Sequence, residues 1–181
     1  MSSPLQTSPD VLIIGGGIHG CSLGWELALR GLQVEILEKS VPGAEASSAA
    51  GGILGPHLEA GAPGPFLDLA RYSMSLYPDW VDALQQSSGV DVDFERCGGL
   101  IAAFRPEDVE VLSAQASELE ALDLPATWVE REALLDLEPG IGEALGAIHF
   151  PREAQIEPCQ LMTALTRAAT VAGVRFVTDT V

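Results

Sequence analysis

The stretch Val11-Leu12-Ile13-Ile14-Gly15-Gly16-Gly17-Ile18-His19-Gly20 decides how the rest of this chain is read. Its four leading apolar residues predict a short parallel strand buried on both faces, since such a strand needs no polar alternation. Gly15, Gly17 and Gly20 then form G-x-G-x-x-G where the strand gives way to a helix. Each glycine has its own reason: a tight turn at Gly15, room for a pyrophosphate against the backbone at Gly17, and close helix–sheet packing at Gly20. The helix presents unpaired N–H groups and about half a positive charge to an anion.

The residues that follow supply the context such a motif needs. Cys21 to Arg30 reads as a helix, and Gly31 stands where a terminating glycine belongs. Gln33 to Leu37 alternates as a second strand and delivers Glu38 to its end, 18 residues after Gly20. That spacing is close to the roughly 20 residues expected for an acid that accepts a hydrogen bond from a ribose 2′-hydroxyl. An acid there disfavours a 2′-phosphate, although adjacent Lys39 softens the repulsion. The expectation is a Rossmann-like α/β fold with a parallel sheet and a βαβ unit, binding a dinucleotide.

Gly24 extends the glycine series and, inside a helix, points to a close backbone approach. Residues Pro42 to Pro56 (PGAEASSAAGGILGP) form a second stretch of small residues just after the acid. An NAD-binding unit would return quickly to a helix and strand, whereas this loop suggests backbone wrapped around a bulkier cofactor. A plain flexible linker would be more polar than Ala49-Ala50 and Ile53-Leu54.

These residues resemble the D-amino acid oxidase-like flavoproteins, and within them the glycine oxidase branch associated with thiamine biosynthesis. The resemblance is carried by VLIIGGGIHG, Glu38-Lys39, SSAAGGILGPHLEA, SGVDV at Ser88 to Val92 and Gln155-Ile156-Glu157-Pro158, and runs from about Asp10 to Val181. It implies FAD as cofactor. Ile18 and His19 would border the pyrophosphate, Glu38 and Lys39 the adenosine ribose, and Ser47 and Ser48 the phosphate–ribityl region. Gly51, Gly52 and Ile53 would run beside the isoalloxazine, and the Val181 backbone would meet the adenine. Ile53 and Ser48 depart from residues frequent in the family. The resemblance further implies a small amino acid or amine substrate, oxidised by hydride transfer to the flavin. It also implies that these residues are the N-terminal half of such an enzyme, lacking the arginine that clamps the substrate carboxylate. No catalytic residue is therefore assigned.

The implied organisation is a disordered lead-in at residues 1–9, a first part of the FAD-binding domain at 10–89, the start of an inserted α+β substrate domain at 90–150, and a return to the FAD-binding domain at 151–181. Local patterns agree in outline. Phe66 to Leu84 has helical spacing through Phe66, Leu69, Ala70, Met74, Leu76, Trp80 and Leu84, with Tyr72, Tyr77 and Trp80 read as core aromatics. Val90 to Phe104 reads as one or two strands around a Gly98-Gly99 turn. Helices are expected from Pro106 to Leu122, from Glu130 to Leu137 and from Glu157-Pro158 to Val171, and strands at Gly146 to Phe150 and Val174 to Val177.

Composition narrows the partners. The net charge is −17, with 9 basic residues of which Lys39 is the single lysine, so nucleic acid and anionic membranes are poor partners. The cofactor phosphates must then be held by backbone N–H groups. Cys21, Cys97 and Cys159 lack metal spacing and read as reduced thiols in a cytoplasmic protein. Met1 to Pro9 does not read as a signal peptide, and no stretch reaches membrane-spanning length. His19 reads as packing or phosphate hydrogen bonding, His57 as a residue that could line an active site but has no partner in recognisable spacing, and His149 as structural. Two other readings remain open: an NAD-dependent dehydrogenase fragment, which the SSAAGGIL loop opposes, and a non-catalytic, truncated cofactor-binding or subunit-interaction module. A homo-oligomer is compatible with any of them.

Overall fold

The computed structural model describes residues 8–60 and 62–179. Most of the expected lead-in, together with Val181, lies outside the described residues. Elements follow in the order β1 (Val11–Ile14), α1 (Ile18–Leu29), β2 (Val34–Leu37), α2 (Ala46–Ala49), β3 (Ile53–Leu54), α3 (Pro56–Ala60), α4 (Pro65–Ser88) and β4 (Gly99–Ala103). After these come α5 (Pro106–Ala121), β5 (Thr127–Glu130), α6 (Arg131–Leu137), β6 (Gly146–Phe150), β7 (Ala154–Gln155), α7 (Pro158–Val171) and β8 (Arg175–Val177). They divide into two compact units. The first contains residues up to Gly52, Pro78–Asp93 and the residues from Ile156 onward, and the second contains Ile53–Tyr77 and Phe94–Gln155. The second unit thus takes in residues 53–77, which the sequence reading groups with the FAD-binding part.

The first unit is built on a parallel sheet of order β1-β2-β8. Here β8 joins β2, as expected for the returning helix–strand pair. Glycines set how closely α1 lies on this sheet. A Cβ on Gly20 would stand 2.0 Å from the Gly15 carbonyl oxygen, and one on Gly24 would stand 2.9 Å from Ile36 Cδ1. Trp25 and Trp80 meet edge to face at 6.0 Å. Trp25, Val34, Ile36, Val81, Leu84, Leu161 and Leu165 are all buried in this unit.

Two expectations for this sheet are corrected. Leu12 and Ile14 are 52% and 87% exposed, so β1 is covered on one face only. Ile13 turns toward α1, while among the described residues nothing pairs with the outer edge of β1. Strand β2 does not alternate either: Val34, Glu35 and Ile36 are all buried. Glu35 is accommodated because Arg175, its register partner on β8, donates to its carboxylate.

The second unit centres on an antiparallel sheet of order β4-β6-β5. The middle strand is buried on both faces. Ile148 and Phe150 join Leu67, Leu119 and Leu124 on one side, and Ala147 meets Leu134 and Ala144 on the other. Burying a side chain such as Leu134 or Phe150 stabilises by about 1.5–3 kcal/mol. Strand β5 is absent from the sequence reading, and Val90–Phe104 contributes only β4, preceded by an isolated bridge between Glu95 and Gln155.

The 24-residue α4 runs through Pro78, where the division between the units falls. Its buried apolar positions are Leu67, Met74, Val81 and Leu84, whereas Phe66, Leu69, Tyr72 and Leu76 are exposed. The apolar face is therefore rotated from the one expected, and Tyr72 is no core residue. Tyr77 stacks on Phe94 at 5.9 Å, in the core role expected of it.

Candidate functional site: the N-terminus of α1

The strand–turn–helix at Gly15 to Ile18 and the loop after β2 enclose a cavity of about 600 Å³ in the first unit. Its wall includes Gly15, Gly17, Glu38, Lys39 and Ser47 among the expected residues, and Ile14, Leu37, Val41, Gly43 and Ala44 besides. Gly15 turns the chain at φ +100°, a conformation in which a side chain would be strained. Gly17 has an ordinary φ of −77° and starts α1, and a Cβ there would lie 3.1 Å from Ser47 Oγ. The absent side chain at Gly17 therefore leaves room at the mouth of the helix, while the one at Gly20 lets the helix pack.

Glu38 is held in place by two backbone donors. The Gly16 N–H donates to Oε2 at 2.7 Å and the Ser40 N–H donates to Oε1 at 3.0 Å. The Gly16 bond, reinforced by that of Ser40, holds this carboxyl below its ordinary range. It stays ionised at neutral pH and is preorganised as an acceptor. Lys39 forms an exposed ion pair with Glu45 at 2.5 Å, which raises its pKa. Exposed pairs of this kind contribute little.

The second small-residue loop folds back on the first. The Gly43 N–H donates to the Gly16 carbonyl at 2.9 Å, Ser48 Oγ donates to the Gly43 carbonyl at 2.6 Å, and Ser47 Oγ accepts from the Ile18 N–H at 3.0 Å. Ser47 thus caps α1 from outside the helix, where an anion would otherwise be the partner. Ser48 braces the loop internally and lines a separate shallow groove along α7. Cys21 is fully buried beneath the glycine turn, and burial pushes its thiol up to about 11.

The remaining expected residues are placed differently. His19 lies exposed in the first turn of α1, outside the cavity wall. Gly51 is exposed, with nothing near a hypothetical Cβ. Gly52, at φ +77°, faces the Ile156 carbonyl, 2.0 Å from where a Cβ would be, and its own carbonyl accepts from the Ile156 N–H at 2.9 Å. Ile53 belongs to the second unit, is 70% exposed and pairs with Gln155 across β3–β7. The backbone from Pro42 to Ala46 is legible in the sequence only as part of a run of small residues, and Val41 carries no signal there.

In the second unit the structure supplies a partner for a histidine that the sequence leaves alone. His57 Nδ1 and Glu153 Oε1 are 2.7 Å apart, and the His57 backbone N–H donates to the same oxygen at 3.0 Å. Both side chains are buried, and His57 Nε2 and Glu153 Oε2 have no protein partner. No group of three or more His, Cys, Asp or Glu suited to a metal occurs among the described residues. No helix among the described residues is long and apolar enough to cross a membrane.

A backbone-lined anion cradle at a helix N-terminus, with an acid pinned at the end of the second parallel strand, is the arrangement of a dinucleotide-binding protein. The family of FAD dependent oxidoreductases matches residues 10–181, and the chain belongs to that family. It is 38% identical over 174 residues to the bifunctional protein ThiO/ThiG of Synechocystis sp., covering 94% of this chain and 25% of that one. Over 166 residues it is 35% identical to the glycine oxidase of Geobacillus kaustophilus, covering 91% of this chain and 44% of that enzyme. The crystal structure of the Geobacillus kaustophilus glycine oxidase superposes with a TM-score of 0.88 at 32% identity, over 94% of this chain and 46% of that one. The chain thus spans less than half the length of these relatives.

Proposed function

We propose that this chain supplies the adenosine and pyrophosphate side of the FAD site in an oxidase of the glycine oxidase type, acting on a small amino acid or amine. The observation that carries this reading is the cavity at the N-terminus of α1, with Glu38 already held by the Gly16 and Ser40 N–H groups. The residues fit the group. Gly17 and the first turn of α1 with Ile18 and His19 would face the pyrophosphate, Gly20 would let that helix lie close on the sheet, and Glu38 would accept from the ribose, with Lys39 beside it. Ser47, Ser48, Gly51, Gly52 and Ile53 would follow the cofactor toward its ring, and Val181 would meet the adenine. With a net charge of −17, phosphate binding falls to N–H groups and the helix dipole.

Bound FAD would supply the two-electron acceptor for a C–H bond beside the substrate nitrogen. The chain's own part is to orient that cofactor and keep its pyrophosphate out of bulk water. In domain terms, residues 10–89 and 151–181 would carry the FAD-binding part and 90–150 the start of a substrate domain. A cytoplasmic location accords with the free cysteines Cys21, Cys97 and Cys159. Calorimetric titration with FAD, NAD and NADP tests the reading: FAD should bind tightest, and tighter binding of NAD would return the chain to the dehydrogenase class. Peroxide release with glycine, sarcosine or D-alanine separates an oxidase from a non-catalytic cofactor-binding module.

A further inference from the structure

We infer that Cys21 is a positioning residue whose thiol orients the Gly16–Gly17 peptide, so that the Gly17 N–H is presented to the pyrophosphate of the dinucleotide; the inference rests on the reading of the α1 N-terminus proposed above. Gly16 is buried at the centre of the turn, and both of its polar groups are engaged. Its N–H donates to Glu38 Oε2 at 2.7 Å, and its carbonyl accepts from the Gly43 N–H at 2.9 Å and from Cys21 Sγ at 3.2 Å. All of these residues belong to the first unit. Among the described residues no peptide bond is cis, so the Gly16–Gly17 unit is planar and trans, and its N–H points opposite to its carbonyl. Holding the Gly16 carbonyl on Gly43 and Cys21 therefore aims the Gly17 N–H away from both. Gly17 lines the cavity, and among the described residues its N–H has no hydrogen-bond partner. The Ile18 N–H beside it is already taken by Ser47 Oγ at 3.0 Å.

Packing alone does not account for this contact. A buried cysteine commonly serves as a small apolar group, and Cys21 is fully buried. Its Sγ nevertheless reaches hydrogen-bond distance of an oxygen five residues back across the turn, where an aliphatic side chain would bring no donor. Burial raises the thiol to about 11, so at neutral pH it keeps the proton it donates. The thiol also meets the Thr166 hydroxyl on α7, which limits where Sγ can move. The Gly43 N–H reaches the same carbonyl from the loop after β2, whereas Cys21 reaches it from α1 itself. The direction of the peptide is thereby tied to the helix whose N-terminus faces the anion. An S–H···O bond is weak, so its removal should change affinity by a small factor and leave the fold standing.

The test titrates ADP and adenosine into the unsubstituted chain and into Cys21→Ser, Cys21→Ala and Cys21→Val. ADP reports the phosphate contacts together with the ribose, and adenosine reports the ribose side alone. Cys21→Val, which fills the space without a donor, and Cys21→Ala should each weaken ADP by about three- to fivefold while adenosine affinity stays unchanged. Cys21→Ser keeps a donor and should bind ADP as the unsubstituted chain does. Damage to the fold would instead weaken both ligands, and urea denaturation of each variant provides the control. If Cys21→Ala does not fold, Cys21→Val against Cys21→Ser carries the same comparison. ADP affinity equal in all folded variants, ADP and adenosine affinities falling together, or Cys21→Ser falling as far as Cys21→Val overturns the inference while leaving the cofactor reading intact. If the folded, unsubstituted chain binds ADP no more tightly than adenosine, the phosphate reading of the α1 N-terminus itself fails and takes this inference with it.

Discussion

Around Gly17 the first unit works with backbone. The cavity wall is glycine and short side chains, its donors are N–H groups, and its one pinned acid is held by two of them. Around Leu134 and Phe150 the second unit works with side chains, which fill both faces of a three-stranded sheet. The difference separates two uses of a residue. A change in the cradle should alter what binds while leaving much of the fold, and a change in the second interior should alter stability while leaving the cradle's affinity. Glycines make the point at closer range, since Gly17 opens onto the cavity and Gly20 leaves space for the Gly15 carbonyl.

The sharpest attempt to break this comparison substitutes those two glycines. Gly17→Val should abolish FAD binding while the far-UV spectrum stays native, because φ at Gly17 is ordinary and the added bulk meets only Ser47 Oγ and the cavity. Gly20→Val should lose the folded state, because its Cβ has no space against the backbone. A stoichiometric flavin spectrum in Gly17→Val would show that the cradle is not where FAD binds.

Leu134→Ala should destabilise the second unit by about 2–5 kcal/mol in urea denaturation, the range for a fully buried leucine. ADP affinity of the folded fraction should stay within about twofold. A large loss of affinity would mean that the cradle depends on that interior after all.

Glu38→Gln should weaken FAD by about 1.5–3 kcal/mol, roughly 10- to 150-fold, as expected for a hydrogen bond that loses its charge. Apo stability should fall less, since the amide oxygen can still accept from Gly16. The pH dependence follows from the sign of the shift. A carboxyl held below its ordinary range stabilises the fold above that range, and the contribution is lost as pH falls through the depressed value. Comparing acid unfolding of the parent and Glu38→Gln should show that extra acid sensitivity in the parent alone.

The smallest effect concerns Cys21, whose thiol is raised from an ordinary 9.0 to about 11 by burial. At neutral pH, alkylation followed by mass spectrometry should modify exposed Cys97 and Cys159 well before Cys21. Its contribution to stability is present below the ordinary thiol value and fades as pH rises through about 11. Equal labelling of all three would show that the glycine turn opens freely.

Elements with local signals were legible to the residue. Strand β6 (Gly146–Phe150) stands where expected, α5 begins at Pro106, and α7 begins at Pro158 with Glu157 accepting from the Gln160 N–H. Proline at a first helical position and a side-chain cap act within one turn of chain. Strand β5 was not legible, because Thr127–Glu130 is too short to carry a period of its own and is held by pairing with β6. The face of α4 was not legible either, because apolar residues occur around most of that helix and only its neighbours select which are covered.

The sequence by itself determined the glycine turn: three glycines and an acid at fixed spacing, each required by backbone geometry over a few residues, mark the strand–turn–helix and the carboxylate that the Gly16 N–H holds. Tertiary structure alone decided that Leu12 and Ile14 stay exposed, that Glu35 is buried against Arg175, and that His57 meets Glu153 across 96 positions. Backbone requirements are local and leave a pattern in the chain. Burial and pairing depend on which distant segments arrive together, and no short stretch of residues records that.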